Sequence, residues 1–182
     1  MIAMRPKELL AALVTEGVDF VLVGGLAAAL HGTTRVTRDI DIVYARHGAN
    51  FDRLCKALNR FEPRRMLLGK PEGGVLTLTP AMLKKEHMLQ LATSVGEVDL
   101  LDRIHGFSSY SFLKTKAEIQ DVGVATPVLS IDGLLRAKRA MKRPKDLQDI
   151  VELEALEEAR KLAGPSDDTA SIRLRQPNMQ KP

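Results

Sequence analysis

Asp39 and Asp41 lie two residues apart in Asp39-Ile40-Asp41-Ile42-Val43-Tyr44, a segment that alternates polar with apolar residues before turning hydrophobic. In an extended chain, residues two apart project to the same face. Both carboxylates therefore stand side by side, while Ile40 and Ile42 point the other way into a core. Two carboxylates at close range repel unless a cation or a proton sits between them, and an all-oxygen ligand set suits Mg2+ or Mn2+. Asp99, between Val98 and Leu100 in a later extended segment, supplies a third carboxylate if its strand lies beside the first. Three such groups can hold two divalent ions, and a pair about 3.5–4 Å apart activates an attacking oxygen and steadies a leaving pyrophosphate. The plainer reading makes them strand-end carboxylates bonded to loop amides or to Arg35 and Arg38. It competes best at Asp99 taken alone.

Gly24-Gly25 follows the apolar run Val18–Val23 and precedes Leu26-Ala27-Ala28-Ala29-Leu30-His31, a segment of helical propensity. Two glycines at the start of a helix offer bare amides and a positive dipole end, so phosphate oxygens approach without a Cβ in the way. A lone Gly-Gly is equally a tight strand-to-helix connection; the acidic pair downstream makes the phosphate reading specific. Arg35 and Arg38, just before that pair, either touch phosphates or pair with the carboxylates. Further on, Arg136, Lys138, Arg139, Lys142, Arg143 and Lys145 crowd the end of one helix and the start of the next. As a group they read best as a solvated face offset by Asp146 and Asp149, and Lys138 is the member retained as a candidate phosphate contact.

With these residues in hand, the stretches Val23-Gly24-Gly25-Leu26-Ala27 and Arg35-Val36-Thr37-Arg38-Asp39-Ile40-Asp41-Ile42 resemble the glycine motif and Asp-x-Asp signature of the polymerase-β-type nucleotidyltransferases. Glu97-Val98-Asp99-Leu100-Leu101 is similar to the strand that carries that superfamily's third metal-binding Asp. Within it, the chain looks most like the minimal branch of AbiEii-like abortive-infection toxins, whose lysine on a helix after the sheet Lys138 matches in Leu134-Leu135-Arg136-Ala137-Lys138. The likeness is good from Val18 to Leu101 and loose to Leu162. Many members carry Gly-Ser where this chain has Gly24-Gly25, so a serine contact to phosphate is missing and backbone amides must do that work. The resemblance implies Asp39, Asp41 and Asp99 as catalytic and metal ligands, and Gly24, Gly25, Arg38 and Lys138 on the nucleotide. It also implies Mg2+ or Mn2+ as cofactor and a nucleoside triphosphate as substrate. The acceptor is left open among RNA or tRNA, a protein hydroxyl and a small molecule, as are a toxin role and an antitoxin partner.

Elements that hold these residues can be read from pattern. Pro6 to Val14 predicts a helix that starts on Pro and stops at Gly17; a strand over Val18–Val23, the glycine turn and a helix to Gly32 follow. After the acidic strand, Asn50 to Leu58 predicts an amphipathic helix with Phe51, Leu54, Cys55 and Leu58 on one face. Met66–Leu68, Val75–Thr79, His87–Ala92 and Glu97–Leu101 predict short strands separated by Gly and Pro, and Ile119–Val128 adds an edge strand interrupted by Gly123 and closed by Pro127. Ser130 opens a helix to Met141, and Pro144 opens another to about Leu162. The expected fold class is α/β (α+β): a nucleotidyltransferase-like mixed β-sheet flanked by helices, with a C-terminal helical pair. Expected domains are a catalytic domain over 1–128, helices packed on it over 129–163, and a disordered or partner-ordered tail over 164–182.

At 182 residues with 45% hydrophobic content, the chain can bury one core, but 4% aromatics and no Trp mean aliphatic side chains must fill it. A net charge of +4 is compatible with an anionic partner without demanding one. The longest apolar and glycine run, Phe20–Leu30, is far below the roughly 20 residues that span a bilayer, and no membrane partner is expected. Cys55 is the single cysteine, which suits a cytoplasmic location and a small hydrophobe's role. His31, His47, His87 and His105 lack metal-ligand spacing and read as ordinary surface or boundary histidines. Gly69-Lys70 is followed by Pro71, so the chain has no P-loop there, and Gly-x-Ser-x-Gly is absent. The reading is an enzyme, a metal-dependent nucleotidyltransferase. The alternative is a non-catalytic module of the same fold, such as an antitoxin-type partner.

Overall fold

In the computed structural model of the chain, residues 4–163 are described; the tail expected for 164–182 lies outside them. The chain opens with α1 (Pro6–Thr15), which has Pro in its first turn and buries Leu9, Leu10 and Leu13. It continues through β1 (Phe20–Val23), α2 (Gly24–His31), β2 (Asp39–Tyr44) and α3 (Gly48–Asn59). Next come β3 (Arg64–Leu67), β4 (Lys70–Glu72), α4 (Pro80–Lys85), β5 (Met88–Thr93), β6 (Gly96–Leu101) and α5 (Tyr110–Lys114). It ends with β7 (Ala117–Asp121), β8 (Ala125–Leu129), α6 (Ile131–Met141) and α7 (Pro144–Ala163).

Among the described residues the strands form one mixed sheet in the order β4-β3-β5-β6-β2-β1-β8-β7. β2 runs parallel to β6 and β1 parallel to β8, and the remaining neighbours are antiparallel. The period-2 pattern decides which side chains go inward: Ile40, Ile42, Val98, Leu91 and Leu100 are buried, while Asp39, Asp41 and Gln90, between them in sequence, retain exposure. α3 buries Phe51, Leu54, Cys55 and Leu58, the stripe its spacing predicts. Asn50 at its start is fully buried and fully used: its Oδ1 accepts from the Asp19 amide at 2.7 Å, and its Nδ2 donates to the carbonyls of Asp19 and Ala45 at 3.0 and 2.8 Å. That one amide fastens the entry of β1 and the exit of β2 to a helix.

Three local expectations are corrected. Val75–Thr79 is not a strand: the Leu76 amide donates to the Pro63 carbonyl and the Leu78 amide to Asn59 Oδ1 at 2.8 Å, so the loop's own partners satisfy its backbone. Residues 119–128 are not one broken edge strand. They contribute to a hairpin, with β7 at the sheet edge and β8 beside β1, and Pro127 lies inside β8 opposite Ile119. The short helices α4 and α5 interrupt stretches read as connections; each has a hydroxyl cap, Thr79 on the Met82 amide and Ser109 on the Phe112 amide.

Candidate active site

Register brings the acidic residues together. β2 and β6 pair in parallel with Asp39 opposite Glu97 and Asp41 opposite Asp99, and partners in a ladder share a face. One carboxylate oxygen from each of Asp39, Asp41 and Asp99 lies within 4.8 Å of the others. Asp99 is buried and the other two are half-buried, so the cluster sits at a boundary where a solvated ion and its phosphate ligands can reach it.

The glycine turn closes directly over this cluster. β1 is antiparallel to β2, with Val23 opposite Asp41, and α2 begins at the next residue. Gly24 holds φ +70, and a Cβ there would fall against the Asp41 carboxylate, 2.6 Å from its Cγ. Gly25 also packs closely, on Thr37, where a Cβ would meet Oγ1 at 2.7 Å. That same hydroxyl donates to Asp39 Oδ1 at 2.6 Å. Both glycines are therefore required by close approach: one rests on Asp41 and the other on the residue that holds Asp39. The first turn of α2 has no side-chain cap, so no side chain of the N-cap occupies its leading amides, as phosphate binding needs.

The basic candidates divide. Arg38 is exposed just before β2 and makes no ion pair with a described residue. Arg35 does not pair with the acidic cluster; its Nη1 donates to Asp149 Oδ2 on α7 at 2.8 Å. Lys138 is only 4% exposed, and its Nζ contacts the same Asp149 oxygen at 2.5 Å and Asp146 Oδ1 at 3.9 Å. Thr34 adds to this clasp, donating to Glu152 from its amide at 2.7 Å and from its hydroxyl at 3.0 Å. The loop leading into β2 is thus pinned to α7 by residues on both sides of an ion-pair network.

Arg143, another member of the basic group, is tied to α7 by bidentate hydrogen bonds to Asp146. It stands in the turn between α6 and α7, its hydrogen bonds to Asp146 raise its pKa, and the charge of Asp41 adds to that rise. His31 is no surface histidine. It is buried at the end of α2, its Nε2 donates to the Leu129 carbonyl at 2.8 Å, and its Nδ1 receives Arg160 at 3.0 Å. It ties α2 to β8 and α7. A separate hollow of about 430 Å3, lined by Asp19, Ala45, His47, Tyr110, Ser111, Lys114 and Thr115, lies at the other end of β1 and β2 from Gly24 and Asp41.

No protein-family model matches the chain, and no curated protein matches it. Among solved structures it is similar to ANT(2")-Ia in complex with adenylyl-2"-tobramycin, with a TM-score of 0.51 and 15% identity over 87% of this chain and 95% of that one. It is also similar to TM1012 of Thermotoga maritima, provisionally classed as a nucleotidyltransferase, with a TM-score of 0.47 and 19% identity over 88% and 92%. JHP933 from Helicobacter pylori gives 0.42 and 15% over 81% and 66%. At such identities the likeness is one of fold, and the chain has a nucleotidyltransferase-like fold. Among the described residues no helix is long and apolar enough to cross a membrane.

Proposed function

We propose that the protein is a metal-dependent nucleotidyltransferase that moves an NMP group from a nucleoside triphosphate to an acceptor hydroxyl. The observation that carries this is the convergence of Asp39, Asp41 and Asp99 beneath the Gly24-Gly25 turn. The donor set fits a hard divalent cation: all oxygen, three carboxylates, with Thr37 fixing the orientation of Asp39. A bound Mg2+ or Mn2+ would neutralise triphosphate charge and lower the pKa of the acceptor hydroxyl.

In this reading the acceptor oxygen bonds to the α-phosphorus as the bond from that phosphorus to the bridging oxygen breaks, and pyrophosphate leaves. Asp39 and Asp41 hold the cation side of the site. Asp99, more buried and next to β5, takes the acceptor's proton. Gly24 and Gly25 donate amides to phosphate oxygens, Arg38 reaches them from solvent, and Lys138 contributes positive charge from within its pair with Asp149. Residues 1–128 carry the chemistry and 129–163 pack as a helical pair beside it.

The resemblance to AbiEii-like proteins extends the proposal to a cytoplasmic toxin restrained by an antitoxin, with RNA or tRNA, a protein or a small molecule as acceptor. ANT(2")-Ia, solved with an adenylyl group joined to tobramycin, supports the small-molecule option. The test is incubation with each α-labelled nucleoside triphosphate and Mg2+, with and without total RNA, for the native protein and Asp41→Ala. Label moving to RNA, protein or a small acceptor only in the native reaction supports the reading and names the acceptor class. No binding or reaction with any triphosphate overturns it.

A further inference from the structure

The acidic cluster is approached from two different sides. Asp41 lies under Gly24 and α2, the side where the phosphate-binding amides are. Asp99 faces the neighbouring strand instead. β5 pairs antiparallel with β6 and sets Gln90 directly opposite Asp99, so the two side chains share the face that bears the carboxylates. Gln90 Nε2 donates to Asp99 Oδ2 at 3.0 Å. Gln90 itself is exposed, whereas Leu89 and Leu91 on either side of it are buried. An exposed strand position has no packing reason to hold an amide, and this amide is placed against the third carboxylate.

We propose that Gln90 is a positioning residue for Asp99: its amide fixes the plane of that carboxylate, and so the part of the divalent-ion site that Asp99 completes. The inference rests on the nucleotidyl-transfer reading and deepens it. Gln90 serves the side of the site away from the glycine turn, so the nucleotide's phosphates and the Asp39–Asp41 pair do not depend on it. Its action passes entirely through Asp99, as outer partners of metal ligands act by orienting the ligand.

The probe is Mn2+ alone, followed by the loss of its free-ion electron paramagnetic resonance signal on titration into the full chain. Four proteins are compared: wild type, Gln90→Met, Asp99→Asn and the double variant. Gln90→Met should weaken Mn2+ binding on the order of tenfold, with the thermal midpoint unchanged because the side chain is exposed. Added to Asp99→Asn, the same change should cause no further loss, since its route of action is already gone. The inference is overturned if Gln90→Met binds Mn2+ as wild type does, or if the double variant binds more weakly than Asp99→Asn. A wild-type protein that binds no Mn2+ overturns the nucleotidyl-transfer reading itself, a separable result.

Discussion

Asp41 and Asp99 are direct partners in the parallel ladder between β2 and β6, so two residues 58 positions apart in sequence are set side by side by strand register alone. A one-residue slip of that register would turn one of them to the opposite face. The placement of the cluster is therefore as secure as the sheet, and it is tuned by what touches each carboxylate.

Gly24 is the most constrained of those neighbours. Gly24→Ala must absorb both a left-handed backbone and a Cβ against the Asp41 carboxylate, and we expect it to lose about 1–3 kcal/mol in urea unfolding together with Mn2+ binding. Gly17→Ala is the control: its φ is +65 but nothing lies within 4 Å of the added Cβ. It should pay the backbone cost alone and keep the metal. Equal behaviour of the two variants would contradict the close approach.

Much of this geometry is legible in the chain. The alternation in Asp39–Val43 and Glu97–Leu101 reports which side chains share a face, because a strand's period of two is visible in six residues. That β2 and β6 are neighbours is not visible, since pairing across distant segments depends on the whole sheet. The network around Lys138 is hidden for a related reason: a lysine on a helix looks the same whether solvent or Asp149 receives its ammonium. Val75–Thr79 has a strand's composition, yet its amides find partners in Pro63 and Asn59 rather than in a ladder. His31 carries no pattern that announces burial, because its partners come from β8, β7 and α7.

Lys138 should be a stability residue whatever else it does. It and Asp149 are both buried, and removing one member of a buried pair leaves an uncompensated charge. Lys138→Met is expected to cost about 3–5 kcal/mol by chemical denaturation, whereas Arg139→Met, which breaks the exposed pair with Glu154, should cost roughly 1 kcal/mol or less. Similar losses for both would show that the buried network is not a tie.

Acid should weaken the fold in two stages. Burial lowers the His31 pKa and keeps the ring neutral, so the unfolded chain takes up that proton first and stability falls as pH drops below about 6.5. At Asp146, burial pushes the pKa up, but the hydrogen bonds and charge of Arg143 and the charge of Lys138 outweigh it and leave it lowered. Asp19 is also lowered, with Lys114 and Tyr110 overcoming the opposing effect of burial. Their stabilisation is complete above about pH 4 and lost as pH falls further. Thermal midpoints between pH 3 and 8 should show both stages in the wild type and only the lower one in His31→Gln.

Cys55 should be chemically silent in the folded protein. Burial pushes its thiol pKa up to about 11, and the thiolate is the reactive form. At pH 8, iodoacetamide should label it in urea and leave it unmodified in buffer. Rapid labelling of the native protein would mean that the α3 face opens readily.

The central claim is that Asp39, Asp41 and Asp99 serve nucleotidyl transfer, and the position of the label in the triphosphate tests it most directly. The same nucleoside triphosphate, labelled at the α- or the γ-phosphate, is supplied with Mg2+ to the wild type and to Asp41→Asn. The account predicts α-label on the acceptor and γ-label in pyrophosphate, both abolished by Asp41→Asn. Transfer of γ-label to the acceptor, or α-transfer that survives Asp41→Asn, would contradict it.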